Sequence, residues 1–208
     1  MSDKHIPDLS QLADERLLAL VKKGDKDAFD VLFERYKTKV FSFILRYVGD
    51  NATAEDVFQN TFIRLYTKAR YFSHESKFST WLYTIAANLC KDELKKRSIR
   101  KHIPLQGSTT GDKSSIAIAP QDILQSGYAN PHETARAKER SDLVTKAIDT
   151  LPEDLRMVII LHCLHSLKYH EVAEILGIPT GTVQSRMHSA LLRLRESLGK
   201  LMPDGNRE

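Results

Sequence analysis

Helical periodicity runs along this chain on both sides of a single interruption, and that interruption constrains the fold more than any helix does. From Pro104 to Pro131 the sequence reads PLQGSTTGDKSSIAIAPQDILQSGYANP, with three of the seven prolines, three glycines and no sustained apolar repeat. Prolines remove donors and glycines loosen the backbone, so such a stretch builds neither a helix nor a strand core. Fully extended at ~3.5 Å per residue, it reaches roughly 100 Å, far more than two touching domains require. The sequence on either side must bury its apolar residues separately. The expected architecture is therefore all-α: two small helical domains, residues 12–101 and 135–201, joined by a long flexible linker over 102–134.

The first domain reads as helices almost throughout. Phe29, Leu32, Phe33, Tyr36, Val40, Ile44 and Val48 follow the three-four spacing of one apolar stripe. Gly49-Asp50-Asn51 closes that helix, and Thr53 precedes a second, with Glu55 and Asp56 expected in its first turn. Val57, Phe58, Phe62, Leu65 and Ala69 continue the core. A loop at Tyr71–Phe78 leads to a third helix expected to begin near Ser79. Helical patterning resumes at His132, and Pro152-Glu153-Asp154 carries the proline and acids of a helix start. MVIILHCL is apolar nearly all round, which predicts a buried helix containing Cys163. No strand-like alternation is present.

Composition narrows the function classes. The two cysteines, Cys90 and Cys163, lie far apart, so neither a disulfide framework nor a zinc clip is indicated. No apolar run approaches the ~20 residues that span a bilayer, and the charged start MSDKHIPDLSQLADERL is not a secretory signal. A soluble cytoplasmic protein without membrane insertion is expected. The net charge is only +4, yet its distribution is lopsided. Asp50–Asn60 holds three acids and no bases, whereas Lys91–Lys101 holds six bases against two acids. Two different partners are implied, one of them polyanionic.

Two helices carry the functional signal. In EILGIPTGTVQSRMHSALLRLR a short helix breaks at Gly177-Ile178-Pro179 and a long one restarts with Thr180 at its cap. Val183, Met187, Ala190, Leu191, Leu194 and Leu198 form its packing face. The opposite face is centred on Ser185, His188 and Ser189, with Gln184 and Arg195 on one flank and Arg186 and Arg193 on the other. Small polar groups let a helix backbone approach a major groove, while arginines reach phosphates or guanine edges. This is a helix-turn-helix. In the helix after Phe78, the core stripe is Leu82, Ile85, Ala86 and Leu89; Trp81, Thr84, Asn88, Lys91 and Lys95 lie in one row beside it. An aromatic, a hydroxyl, an amide and two lysines in line suit single-stranded nucleic acid, through stacking, edge hydrogen bonds and phosphate neutralisation. Phe72, Phe78 and Ser79 could close a pocket around an unstacked base.

These segments together resemble a family. AEDVFQNTFIRLY, KFSTWLYTIAANLCKDELKKR, TLPEDLRMVIIL and YHEVAEILGIPTGTVQSRMHSALLRLR occur in the order found in bacterial sigma factors of the extracytoplasmic-function group, small two-domain members of the sigma-seventy family. The resemblance implies a transcription-initiation subunit with no catalysis and no cofactor of its own. Its partners would be core RNA polymerase, promoter DNA both duplex and melted, and an anti-sigma factor. It implies that Glu55, Asp56 and Gln59 bind the polymerase clamp helices. It makes the region from Phe72 to Lys95 (Phe72, Phe78, Ser79, Trp81, Thr84, Asn88, Lys91, Lys95) the reader of the melted minus-ten strand. The last helix, with Thr182, Gln184, Ser185, Arg186, His188, Ser189 and Arg193, would read the minus-thirty-five duplex. The linker would thread towards the RNA exit path.

The chain departs from the family in places. Gln184 and Ser189 stand where lysine or arginine is common, so no promoter sequence transfers. LHCLHSLKYH differs from the commoner acidic, glycine-containing version. His162, Cys163, His165 and His170 are all competent zinc ligands, but their spacing matches no established metal motif. Two rivals remain. An autonomous helix-turn-helix regulator would explain only the last helix. A metal enzyme built on the histidines would lack paired acids, a nucleophile with its base, or a phosphate-cradling loop.

Overall fold

The computed structural model describes residues 8–73, 76–102 and 143–201, and all regular structure among them is helical. A short 3-10 turn at Leu9–Gln11 precedes α1 (Asp14–Val21), α2 (Lys26–Val48), α3 (Asn51–Lys68) and α4 (Phe78–His102). The second domain contains α5 (residues 143–149), α6 (Glu153–Ile159), α7 (Tyr169–Leu176) and α8 (Thr180–Leu201). The linker expected after His102 and residues 132–142 of the helical patterning expected from His132 lie outside the described residues; from 143 on that patterning is helical. Among the described residues, no helix is long and apolar enough to cross a membrane.

Side-chain caps set the helix boundaries. Asp25 accepts from the Ala28 amide at 3.0 Å and starts α2, and Gly49, at φ 81°, takes the left-handed conformation that ends it. Asp50 then accepts from the Thr53 amide at 2.9 Å. Asp50, not Thr53, is therefore the cap, because its carboxylate reaches an otherwise unpaired amide of the first turn. As a result α3 starts earlier than expected, at Asn51, and its first turn holds no acid. Glu55 and Asp56 lie one turn further in, away from the helix dipole's N-terminal end. The start of α4 has a more distant partner: Glu15 of α1 accepts from the Phe78 amide at 3.0 Å. The N-terminal helix thus fixes the start of the helix that carries the polar row.

Aromatic rings fill the first core. Phe33 and Phe62 pack edge-on with centroids 4.8 Å apart, and Phe58 lies between Phe41 and Phe62. Leu82, Ala86 and Leu89 of α4 are buried there as expected. Burial on α4 also extends to Tyr83, Ala87 and Cys90, wider than one stripe. The cause is a second partner, since α7 packs on α4 as well. In the second domain, Val183, Met187 and Ala190 of α8 are buried against α6 and α7. Leu191 is 53% exposed, so it does not belong to the packing face.

The MVIILHCL helix is also not one continuous buried helix. Met157 to Leu161 are buried, but α6 gives way at Ile160–Leu164 to a π turn. The looser turn rotates the chain, so Cys163 is exposed rather than in the core. Ser166, at φ 55°, then turns the backbone back, and the Leu167 amide donates to the Leu161 carbonyl at 3.2 Å. This corner carries His165 towards the first domain. The buried apolar side chains of both domains form one continuous cluster.

Candidate nucleic-acid interface

The α4 row changes character along its length. Trp81 is half-buried, tilted against Phe72 at 5.3 Å and near Phe78 at 6.4 Å between ring centroids. Phe72 and Phe78 are themselves buried, and the Lys22 ammonium sits 5.5 Å over the Phe72 ring while donating to the Phe72 carbonyl at 2.9 Å. In this arrangement the two phenylalanines are the buried floor under Trp81 and do not line an open pocket. Ser79 and Thr84 are half-buried, and the Thr84 hydroxyl donates back to the Thr80 carbonyl at 2.8 Å. Asn88, Lys91 and Lys95 are exposed. Partial desolvation, and then the nearby Arg186 guanidinium, hold Lys91 below the usual lysine range.

The outward face of α8 is different. Gln184, Ser185, His188, Ser189 and Arg193 are all exposed, and Thr182 is half-buried. Ser185 donates to the Thr182 carbonyl at 3.0 Å, which keeps that side chain close to the helix. Arg186 is half-buried and its Nε lies 3.5 Å from the Asp154 carboxylate, so it turns towards α6 rather than outward with Arg193. Gly177, at φ 65°, allows the left-handed turn between α7 and α8.

A third surface lies between α2 and α3 of the first domain. Glu55, Gln59, Ile63 and Tyr66 fall in one row of α3 and, with Phe29, Phe33, Phe58 and Phe62, line an apolar groove of about 620 Å³. Ile63 and Tyr66 are 58% and 47% exposed. Glu55 accepts from the Asn51 side chain at 2.6 Å, Gln59 is exposed at the rim together with Lys26 and Asp30, and Asp56 is exposed next to Glu55 on α3. The sequence reading found the acids but missed Ile63 and Tyr66. The available signal was two large apolar residues placed off the core stripe of an amphipathic helix.

The histidine cluster does not converge. His162 Nδ1 meets the Leu167 carbonyl at 2.7 Å, His165 Nδ1 meets the Tyr83 hydroxyl at 3.1 Å, and Cys163 and His170 are exposed. Among the described residues, no group of three His, Cys, Asp or Glu is placed to hold a metal.

Three collinear features are thus present: an acid-rimmed apolar groove, a row graded from aromatic to cationic, and a small-faced helix after a tight turn. Residues 32–99, spanning most of α2 to α4, match Sigma-70 region 2, and residues 141–194 match Sigma-70 region 4. The chain is 36% identical over 198 residues to the ECF RNA polymerase sigma-E factor of Salmonella typhimurium, covering 93% of this chain and 96% of that one. The chain belongs to the extracytoplasmic-function sigma factors. The ECF RNA polymerase sigma factor SigW of Bacillus subtilis is also 36% identical, over 88% of this chain and 94% of its own. Among solved structures, the sigma factor RpoE of Bartonella quintana, in complex with the anti-sigma factor NepR, is 26% identical. It superposes with a TM-score of 0.61 over 84% of this chain and 98% of that one. A sigma factor is a transcription regulator, and the helix-turn-helix of α7 and most of α8 falls within its matched region 4.

Proposed function

We propose that this sigma factor binds core RNA polymerase through the α3 groove, holds the melted minus-ten strand along α4, and docks α8 on the minus-thirty-five duplex. On this reading residues 12–101 bind polymerase and the minus-ten element, 102–134 form the linker, and 135–201 bind the minus-thirty-five element. The observation that carries it is that α2 and α3 alone line the groove while the row lies on α4 of the same domain. One partner can therefore be held while the other is read.

The groove suits a helical protein partner, because it is apolar inside with acids and amides at its rim. Asp30, Glu55 and Gln59 at the rim, with Asp56 exposed next to Glu55, outweigh the single cation Lys26, which favours a basic helix or helix pair. On α4, the exposed Asn88 can reach a base edge, while Lys91 and Lys95 neutralise phosphates without regard to sequence. Trp81 offers a stacking surface only on its open side, with Phe72 and Phe78 holding it from behind. Thr84 and Ser79 supply hydroxyls beside it. On α8, Gln184, Ser185, His188 and Ser189 are short enough for close approach to base edges, and Arg193 supplies a phosphate contact. Thr182 and Arg186 flank the entry of that helix. An anti-sigma factor is the further partner, on the precedent of the complexed structure above. The role asks for no catalysis by this chain.

An autonomous helix-turn-helix regulator would use α8 and leave the groove without purpose. Reconstitution with core polymerase tests the choice. The proposal expects promoter-dependent transcription from the reconstituted enzyme, and its loss with Ile63→Asp at unchanged circular dichroism. Duplex binding by the free chain with no association with polymerase would favour the rival.

A further inference from the structure

The two domains touch through a set of specific polar contacts that neither the groove nor the reading faces require. Lys77, just before α4, bonds Glu171 of α7 at 2.7 Å, and Glu171 is buried although it carries a charge. Arg46 of α2 donates to Thr145 of α5 at 2.9 Å, and Arg156 of α6 donates to the Tyr47 carbonyl at 3.4 Å. At the centre sits His165, delivered by the π turn and the Ser166 corner. Its ring packs edge-on against Phe43 of α2 at 5.8 Å and tilted against Tyr83 of α4 at 5.5 Å between centroids.

This contact lies alongside the α4 row. Lys77, Trp81, Thr84, Asn88, Lys91 and Lys95 continue one another at three-four spacing. The second domain engages Lys77 at one end and brings Arg186 close to Lys91 further along. A nucleic-acid strand cannot follow the row without displacing it.

We propose that His165 is an uncharged wedge that keeps the two domains closed over the flank of α4, and that its protonation releases them. The surroundings of the ring explain why. Nδ1 has the Tyr83 hydroxyl as partner, but Nε2 is buried with none. A neutral imidazole can leave one nitrogen bare; an imidazolium carries N–H on both, and the second would be buried without an acceptor. The charged groups facing it are Lys39 and Arg46 of α2, both cations, and the Tyr83 phenol of α4 is pushed upward by burial and stays protonated. Burial first, then these two cations, depress the imidazole to about 4.

The closed form therefore binds its proton less readily than the open form, where the ring returns to about 6.5. The imidazole's contribution to closure is fully present above about pH 6.5 and is lost as pH falls from there towards 4. Between pH 7.5 and 5.0 the open-to-closed ratio should rise about 30-fold.

The test uses the full chain with fluorophores on cysteines at the exposed Glu34 and Glu174 positions, in a Cys163→Ser background. The distance distribution should shift to longer values as pH falls from 7.5 to 5.0. His165→Leu should abolish that shift. Glu171→Gln should lengthen distances at both pH values while keeping it. Distances that do not respond to pH, or a response that persists in His165→Leu, would overturn the proposal. An NMR titration of the wild-type imidazole needs no variant, and an ordinary midpoint near 6.5 in the closed protein would also overturn it. The consequence for DNA rests on the α4 assignment above. If Glu171→Gln lengthens the distances but leaves affinity for a short single-stranded oligonucleotide unchanged, that assignment fails and the closure stands.

Discussion

The helices α4 and α8 both present polar and basic side chains, but only one is ready to use them. The outward face of α8 is open to solvent: Gln184, His188, Ser189 and Arg193 are exposed, with Ser189 and Arg193 beside the start of α6. The α4 row starts with Trp81 resting on two buried phenylalanines and becomes exposed from Asn88, although Arg186 of the second domain still lies close to Lys91. On the proposed reading, a duplex would meet α8 as it stands, whereas a strand would use all of α4 only once the domains part. The difference follows from core membership. Helix α4 is packed on two sides, by its own domain and by α7; α8 is packed on one.

The largest expected effect lies outside both helices and isolates them. Ile63→Asp puts a charge into the apolar groove, and core-polymerase binding should fall at least tenfold while the melting temperature holds, because Ile63 is already mostly exposed. Asp56→Lys at the groove's rim should weaken binding in the same direction. Retained binding in both variants would remove the groove from the account and leave only the two readers to compare.

Within α4, Lys91→Ala should weaken all promoters alike by several-fold, since a lysine on phosphate carries no sequence information. Within α8, Arg193→Ala should lower the log–log salt slope of duplex binding by about one, with little change in sequence preference. Arg186→Ala should change that slope less, because Arg186 is turned to Asp154. Equal slopes for the two variants would mean that Arg186 leaves its carboxylate on binding. The smallest effect is structural. Asp50→Ala removes the α3 cap and the Arg97 ion pair, and should cost about 1 kcal/mol in the melting of the first domain.

The same contrast explains what could be read from the sequence. The apolar stripe of α3 follows one buried face, as does that of α8 apart from Leu191, so three-four spacing was enough to place Phe58, Val183 and their neighbours. In α2 it placed Leu32, Val40 and Ile44 but not Phe43 and Tyr47, which face the second domain. The face opposite the stripe of α8 was legible for the same reason. Helix α4 mixes two interfaces, and one stripe could not foresee that Tyr83 and Cys90 are buried. The π turn at Ile160–Leu164 was equally hidden, since MVIILHCL is apolar all round and carries no phase. Its consequence, Cys163 outside and His165 against the other domain, depends on contacts far apart in sequence. Asp50 was missed as a cap because Thr53, a plausible cap itself, stood three residues later.

The central claim is that Asn88 reads a base while its neighbours hold the strand. Asn88 is exposed and has no hydrogen-bonding partner among the described residues, so its loss should not touch stability. Open-complex formation with core polymerase, on a promoter library randomised one position at a time, measures the claim directly. Asn88→Ala should change the preferred base at one minus-ten position by about 1–3 kcal/mol, with the melting temperature unchanged. A uniform loss across all bases, matched by a lower melting temperature, would contradict it and make Asn88 part of the scaffold.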